Sequence, residues 1–148
     1  MQFTKAEAYG LWGLMHLAEA DRSQIVPLSE ISETQDIPEK FLAKVFQALS
    51  RNGIIRSHRG VRGGFSLGRN PEEITLRQVV EAIQGPYHLM PCTEDKQACI
   101  MDPKKFCAIR EVLILAEGQL LSVFEHITLA ELARWQNSKV PPLTRTSV

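Results

Sequence analysis

The residues in this chain best suited to chemistry are its three cysteines, Cys92, Cys99 and Cys107, which all fall inside "PYHLMPCTEDKQACIMDPKKFCAIREV", residues 86–112. Thiols gathered in one segment suit metal ligation or redox exchange. An odd number cannot close into disulfides within one chain, and a framework of bridges needs more partners than these. The neighbours Thr93, Glu94, Asp95, Lys96, Lys104 and Lys105 are polar, so the segment does not read as a core strand or helix that buries its thiols. The spacing Cys-x6-Cys-x7-Cys is looser than the close Cys-x2-Cys pairs of ferredoxins and zinc ribbons. By itself it leaves an iron–sulfur cluster, a zinc ion and free redox thiols as alternatives.

A second set of residues is suited to phosphate. Lys+Arg and Asp+Glu both number 17, so the total charge carries no signal, but its distribution does. Arg51, Arg56, Arg59, Arg62 and Arg69, with His58, lie in a stretch that contains no acid. Such a local excess of cations is what contacts to a nucleic-acid backbone require. Just upstream, Lys40, Lys44, Gln47 and Arg51 recur at helical spacing opposite Phe41, Leu42, Val45, Phe46 and Leu49, which are expected to pack inward. Cations and an amide on one helix face are the donors that read phosphates and base edges.

The elements that must carry these residues follow from periodicity and punctuation. Residues 5–20 predict a largely buried helix, and residues 28–35 and 38–51 predict two more, turned at Asp36-Ile37 and ended by Asn52-Gly53. In "IIRSHRGVRGGFSLG" a short strand, a glycine-rich tip and a returning strand predict a hairpin anchored by Ile54, Ile55, Phe65 and Leu67. Gly60, Gly63 and Gly64 let its tip turn tightly and approach another surface. Helix, turn, helix and basic hairpin is the winged-helix arrangement, in which one helix enters the major groove and the hairpin follows the backbone. Residues 71–85 predict a further helix capped by Thr75, and a long helix is expected from about Pro103 to Glu125. That last helix is apolar nearly all round, which in a chain of 148 residues predicts a partner subunit.

The fold class expected is therefore mainly α with a small β-hairpin wing: a winged helix-turn-helix domain over residues 1–85, a cysteine-bearing loop over 86–107, a dimerisation helix and C-terminal helix over 103–135, and a flexible tail over 136–148. Apolar residues at 44% and charged residues at 23% fit a globular chain and exclude a disordered one. Neither a signal peptide nor an uninterrupted apolar span is seen, so the expected location is the cytoplasm, with no membrane partner. No phosphate-cradling glycine loop opens a helix and no nucleophile–base pair stands out, so no enzyme is expected. His16 and His126 fall in helical patterns, and Trp12 and Trp135 read as core or interface residues.

Taken together, "MQFTKAEAYGLWGLMHLA", "VPLSEISETQDIPEKFLAKVFQALSRNGIIRSHRGVRGGFSLGR", the three-cysteine loop and "ITLAEL" resemble the bacterial iron–sulfur winged-helix regulators of the IscR, NsrR and RirA type. The likeness spans residues 1 to about 135. It implies a homodimeric regulator that binds an imperfect palindrome of double-stranded DNA. It further implies that the helix bearing Lys40, Lys44 and Gln47 reads the major groove and that Arg59 in the wing reaches DNA, while Arg51, His58, Arg62, Gly63 and Gly64 are expected to take part from their place in the basic stretch and the hairpin tip. The same resemblance implies that Cys92, Cys99 and Cys107 hold a labile [4Fe–4S] or [2Fe–2S] cluster that senses iron, redox state or nitric oxide. A zinc site or a thiol switch in the same loop is the alternative. The chain departs from that pattern at the fourth ligand: Arg110 stands where IscR-like chains have a histidine, and Ala8 where NsrR-like chains have an acid. Glu7, His88, Glu111 or an exogenous group are the candidates that remain.

Overall fold

Two glycines on the first helix set how closely the head can pack. In the computed structural model, which describes residues 2–139, helix α1 (Lys5–Glu19) starts at a capping box in which Thr4 and Glu7 satisfy each other's backbone donors. Its Gly10 and Gly13 face α3 (Glu39–Arg51). A Cβ added at Gly13 would stand 2.8 Å from the Phe46 ring, and one at Gly10 would stand 3.0 Å from Val45 Cγ1. A side chain at either position would overpack a core in which Leu14, Leu42, Phe46 and Leu49 are fully buried.

Helix α2 (Leu28–Gln35) ends on Asp36 in the left-handed conformation, and α3 follows after Ile37 and Pro38, which completes the helix-turn-helix. Pro38 serves as the N-cap of α3, one position earlier than its sequence setting suggests. The inward face of α3 carries Leu42, Val45, Phe46 and Leu49 as expected. Phe41 differs: it is 40% exposed and meets Tyr9 edge to face at 5.4 Å instead of entering the core.

Strands β1 (Ile55–His58) and β2 (Gly64–Leu67) form the antiparallel hairpin, with Ile55 opposite Leu67 and His58 opposite Gly64. The hairpin is tied to the head from two sides. Phe65 packs edge to face on Phe46 at 5.0 Å, and its backbone exchanges hydrogen bonds with Val26 at 2.8 and 2.9 Å. Gly64 is required there because a Cβ would collide with the Val26 carbonyl.

The region expected as one helix over 71–85 divides in two. A 3-10 turn at Pro71–Glu73 is capped by Asn70, then Ile74 and Thr75 run extended before α4 (Leu76–Gln84). The break has a cause: Leu76 N–H donates to Ile127 O and Leu129 N–H to Ile74 O, both at 2.8 Å, so this extended piece pairs with the start of the last helix. Thr75 and Thr128 each head a capping box at that junction. A one-turn helix α5 (Pro91–Glu94) follows in the cysteine segment.

The long helix α6 spans Ala108–His126, not Pro103 to Glu125. Residues 102–107 are held out of it by a local turn, with Asp102 accepting from the backbone N–H of Lys104 and of Lys105. Cys107 therefore becomes the N-cap of α6. Helix α7 (Leu129–Ser138) packs on α1 and extends through Gln136, Asn137 and Ser138, so the flexible tail does not begin at 136. The remainder of that tail, 140–148, lies outside the described residues.

Candidate functional site

The basic face is built on α3 and the hairpin. Lys40, Lys44, Gln47 and Arg51 are exposed along α3, while Arg59 and Arg62 are exposed at the hairpin tip beside Val61, which is wholly uncovered. A groove lined by Ala43, Gln47, Ser50, Arg51, Ser57 and Phe65 separates the helix from the hairpin. Among the described residues, none of these cations has a carboxylate within 4.0 Å: the ion pairs are His16–Glu30, Arg77–Glu81, Arg77–Glu125, His88–Glu117 and Arg110–Glu111. Unpaired cations around a groove form an anion-attracting surface. His58 differs from its neighbours, since its ring pairs with Ser66 Oγ at 2.8 Å across the hairpin. Gly63 is placed where a Cβ would lie 2.6 Å from the His58 carbonyl, and Gly64 abuts Val26, so both glycines shape the hairpin.

The thiol segment lies at the other side of α4, against α6. Cys92 is buried in α5, Cys99 is half-buried after the 3-10 turn Lys96–Ala98, and Cys107 caps α6. All three are free. Thiolates are the donors an iron–sulfur cluster takes, so the set fits in kind. It is not gathered, however: among the described residues no group of three His, Cys, Asp or Glu side chains is close enough to hold a metal ion. The fourth-ligand candidates are largely engaged. Glu7 is 1% exposed in the α1 cap, His88 Nδ1 pairs with Glu117 at 2.9 Å, and Glu111 meets Arg110 at 3.3 Å.

Glu117 was not singled out in the sequence, yet it organises the segment. Its carboxylate is buried and accepts from Leu89 N–H at 3.0 Å and from Thr93 Oγ1 at 2.7 Å, besides its pairing with His88. The available signal was an acid set alone within "VLILAEGQLL". Arg110, on the same face of α6, donates Nε–H to the Cys92 carbonyl at 2.6 Å. The remaining face of α6 is uncovered: Ile109 is 71% exposed, Val112 63% and Leu115 64%, with Phe106 nearby at 82%. No helix among the described residues is long and apolar enough to cross a membrane.

Comparison with known proteins gives a consistent picture. The family profile for Rrf2, described as an iron-dependent transcriptional regulator, matches residues 3–134. The HTH-type transcriptional regulator NsrR of Bacillus subtilis is 30% identical over 135 residues, covering 90% of this chain and 91% of its own. Among solved structures, CymR, the global cysteine regulator of B. subtilis, superposes with a TM-score of 0.76 at 24% identity, covering 91% of this chain and 98% of its own. IscR of T. potens does so with a TM-score of 0.74 at 22% identity, covering 97% and 94%. Both likenesses show the winged-helix fold.

Burial pushes the Glu117 carboxyl up, but the hydrogen bonds from Thr93, Leu89 and His88 outweigh it and hold the group below its ordinary value of 4.5. A depressed carboxyl stabilises the fold above about pH 4.5 and loses that contribution as pH falls through its lowered value. Hydrogen exchange of the Leu89 amide, normalised to its intrinsic rate, should therefore lose protection as acid is added below that point. In Glu117→Gln the same amide should be less protected already at neutral pH, with no acid step, since each charged hydrogen bond contributes about 1.5–3 kcal/mol.

Proposed function

The chain belongs to the Rrf2 family of transcriptional regulators and is not an enzyme, and from that membership we propose that it binds operator DNA as a homodimer and senses its signal through a labile iron–sulfur cluster on Cys92, Cys99 and Cys107. The observation that supports DNA binding is the run of unpaired cations on α3 and the hairpin around one groove. In this reading Lys40, Lys44, Gln47 and Arg51 enter the major groove, and Arg59 and Arg62 meet the flanking backbone, with His58, Gly63 and Gly64 fixing the wing that presents them. Residues 1–85 form the DNA-binding head and 86–107 the sensing loop.

Helix α6 is the dimer contact in this proposal. Ile109, Val112, Ala116, Gln119 and Val123 repeat at alternating steps of three and four along its exposed side, the spacing by which two helices pack side by side. Burying a large aliphatic side chain contributes about 1.5–3 kcal/mol, so Ile109, Val112 and Val123 on each copy supply a driving force for two copies to associate along this stripe. Two heads then face half-sites about 34 Å apart, which makes the operator an imperfect palindrome. Val112→Glu should leave the far-ultraviolet circular dichroism intact and convert the dimer to monomer in sedimentation equilibrium.

When bound, the cluster would supply reactivity towards oxidants, nitric oxide or iron loss. The protein's part is to bring Cys99 to Cys92 and Cys107, which orders residues 95–106 at the end of α6 and alters how the two heads are held. A coupling of about 1–3 kcal/mol changes DNA affinity by roughly fivefold to a hundredfold. A second reading keeps the same loop as a thiol switch, which the free, ungathered cysteines suit, or as a zinc site, which would need the same convergence as a cluster.

Anaerobic purification, with absorption spectra and iron and sulfide counts, separates the readings. A coloured protein with equal iron and sulfide is expected, and a colourless one supports zinc or thiols. Gel shifts should then give different operator affinities for cluster-loaded and cluster-free protein, and equal affinities would defeat the sensing proposal. Arg59→Ala should weaken operator binding and lower the magnitude of its log–log salt slope by about one.

A further inference from the structure

The cysteine segment is held to α6 over its first part only. His88, Leu89 and Thr93 all meet the Glu117 carboxylate, and the Cys92 carbonyl accepts from Arg110. From Lys96 to Phe106 the backbone bonds are local, such as Cys99 N–H to Lys96 O and Lys105 N–H to Asp102 O, and Ile100, Met101 and Phe106 are exposed. The first and third cysteines therefore belong to a docked frame, and the second does not.

Arg110 sits at the centre of that frame. Helix α5 is one turn long, so its carbonyls have few partners within the helix. Arg110 supplies one through a short, charge-assisted bond to Cys92 O at 2.6 Å, and its side chain is only 18% exposed. It also lies in the first turn of α6, just after the N-cap Cys107, and two turns before Glu117, with which it shares a face of the helix. A single guanidinium thus ties the main chain of Cys92 to the turn of helix that Cys107 begins.

We propose that Arg110 is a positioning residue of the thiol site: it holds Cys92 in register with Cys107, so that only Cys99 must move for three sulfurs to converge. The proposal deepens the cluster reading, with the arginine as a clamp in place of a fourth protein ligand. Its positive charge, held against the main chain of Cys92, would also favour the anionic thiolates that a bound cluster requires. Lysine cannot replace it fully. An ammonium lacks the planar fork that meets Cys92 O while a second nitrogen contacts Glu111 at 3.3 Å.

The test uses the full-length wild-type, Arg110→Ala and Arg110→Lys proteins. In the metal-free form, iodoacetamide labelling read by mass spectrometry should find Cys92 slower than Cys99 in the wild type. Arg110→Ala should speed labelling of Cys92 several-fold and leave Cys99 unchanged, with a melt lowered by a few degrees for the lost charge-assisted bond and Arg110→Lys in between. Unchanged labelling of Cys92 in Arg110→Ala would overturn the clamp, as would equal acceleration of Cys92 and Cys99, the mark of general loosening. After anaerobic reconstitution with iron and sulfide, Arg110→Ala should lose absorbance several-fold faster than the wild type, and equal loss rates would overturn its role towards the cluster. Should the wild type take up neither iron nor sulfide, the cluster reading fails while the labelling comparison still decides the clamp.

Discussion

A carboxylate buried inside a helix is the constraint on which the lower half of this molecule depends. An isolated ionised carboxyl is costly to bury, and Glu117 is tolerated because donors from one short segment surround it. The requirement works in both directions. The acid keeps His88, Leu89 and Thr93 in place, and those residues allow the acid to remain in the helix. Because α6 also packs on α4 and is tied to it by Arg77, which bonds both Glu81 and Glu125, the position of the thiol segment is linked to the head through contiguous packed elements.

The head is organised by close approach. Gly10 and Gly13 give up helix propensity, about 1 kcal/mol each relative to alanine, to let α3 lie against α1. That spacing puts Phe46 where Phe65 meets it, and the Val26–Phe65 pairing then sets the angle of the hairpin. The exposed side of α3 and the hairpin tip are consequently presented by one rigid core. Cations displayed by such a core keep their mutual spacing, which is what a repeating phosphate backbone can match.

Legibility in the sequence followed the range of the interactions. The inward face of α3, the hairpin and the caps at Thr75 and Asn52 were readable because they rest on periodicity and local turn chemistry. The early start expected for α6 differs at residues 102–107, where Asp102 accepts from Lys104 N–H through its side chain and from Lys105 N–H through its carbonyl in a local turn, and the helix begins only at Ala108. The break before α4 was invisible because its cause lies at Ile127, over fifty residues away. Glu117 belongs to the same class: nothing local distinguishes a buried acid from a solvated one until its donors are known. Arg110 was visible only as a departure from the ligand pattern of similar chains, and its bond to Cys92 came from the structure.

The uncovered stripe on α6 and the undocked half of the thiol loop meet at one place. Phe106, Ile109 and Val112 are successive exposed apolar residues that run from the loop onto the first turns of the helix. A second copy seated on that stripe would lie beside the segment carrying Cys99, so apolar burial there and ordering of the loop would draw on the same residues. Two equilibria that share residues cannot be independent, because ordering performed by one need not be repeated by the other. Ordering a backbone residue costs about 1–2 kcal/mol, so a stretch of a few residues is already enough to match a regulatory coupling in size. Arg110 and Glu117 join the segment around Cys92 to α6, whereas the stretch carrying Cys99 keeps only local backbone bonds and adjoins the open face of that helix.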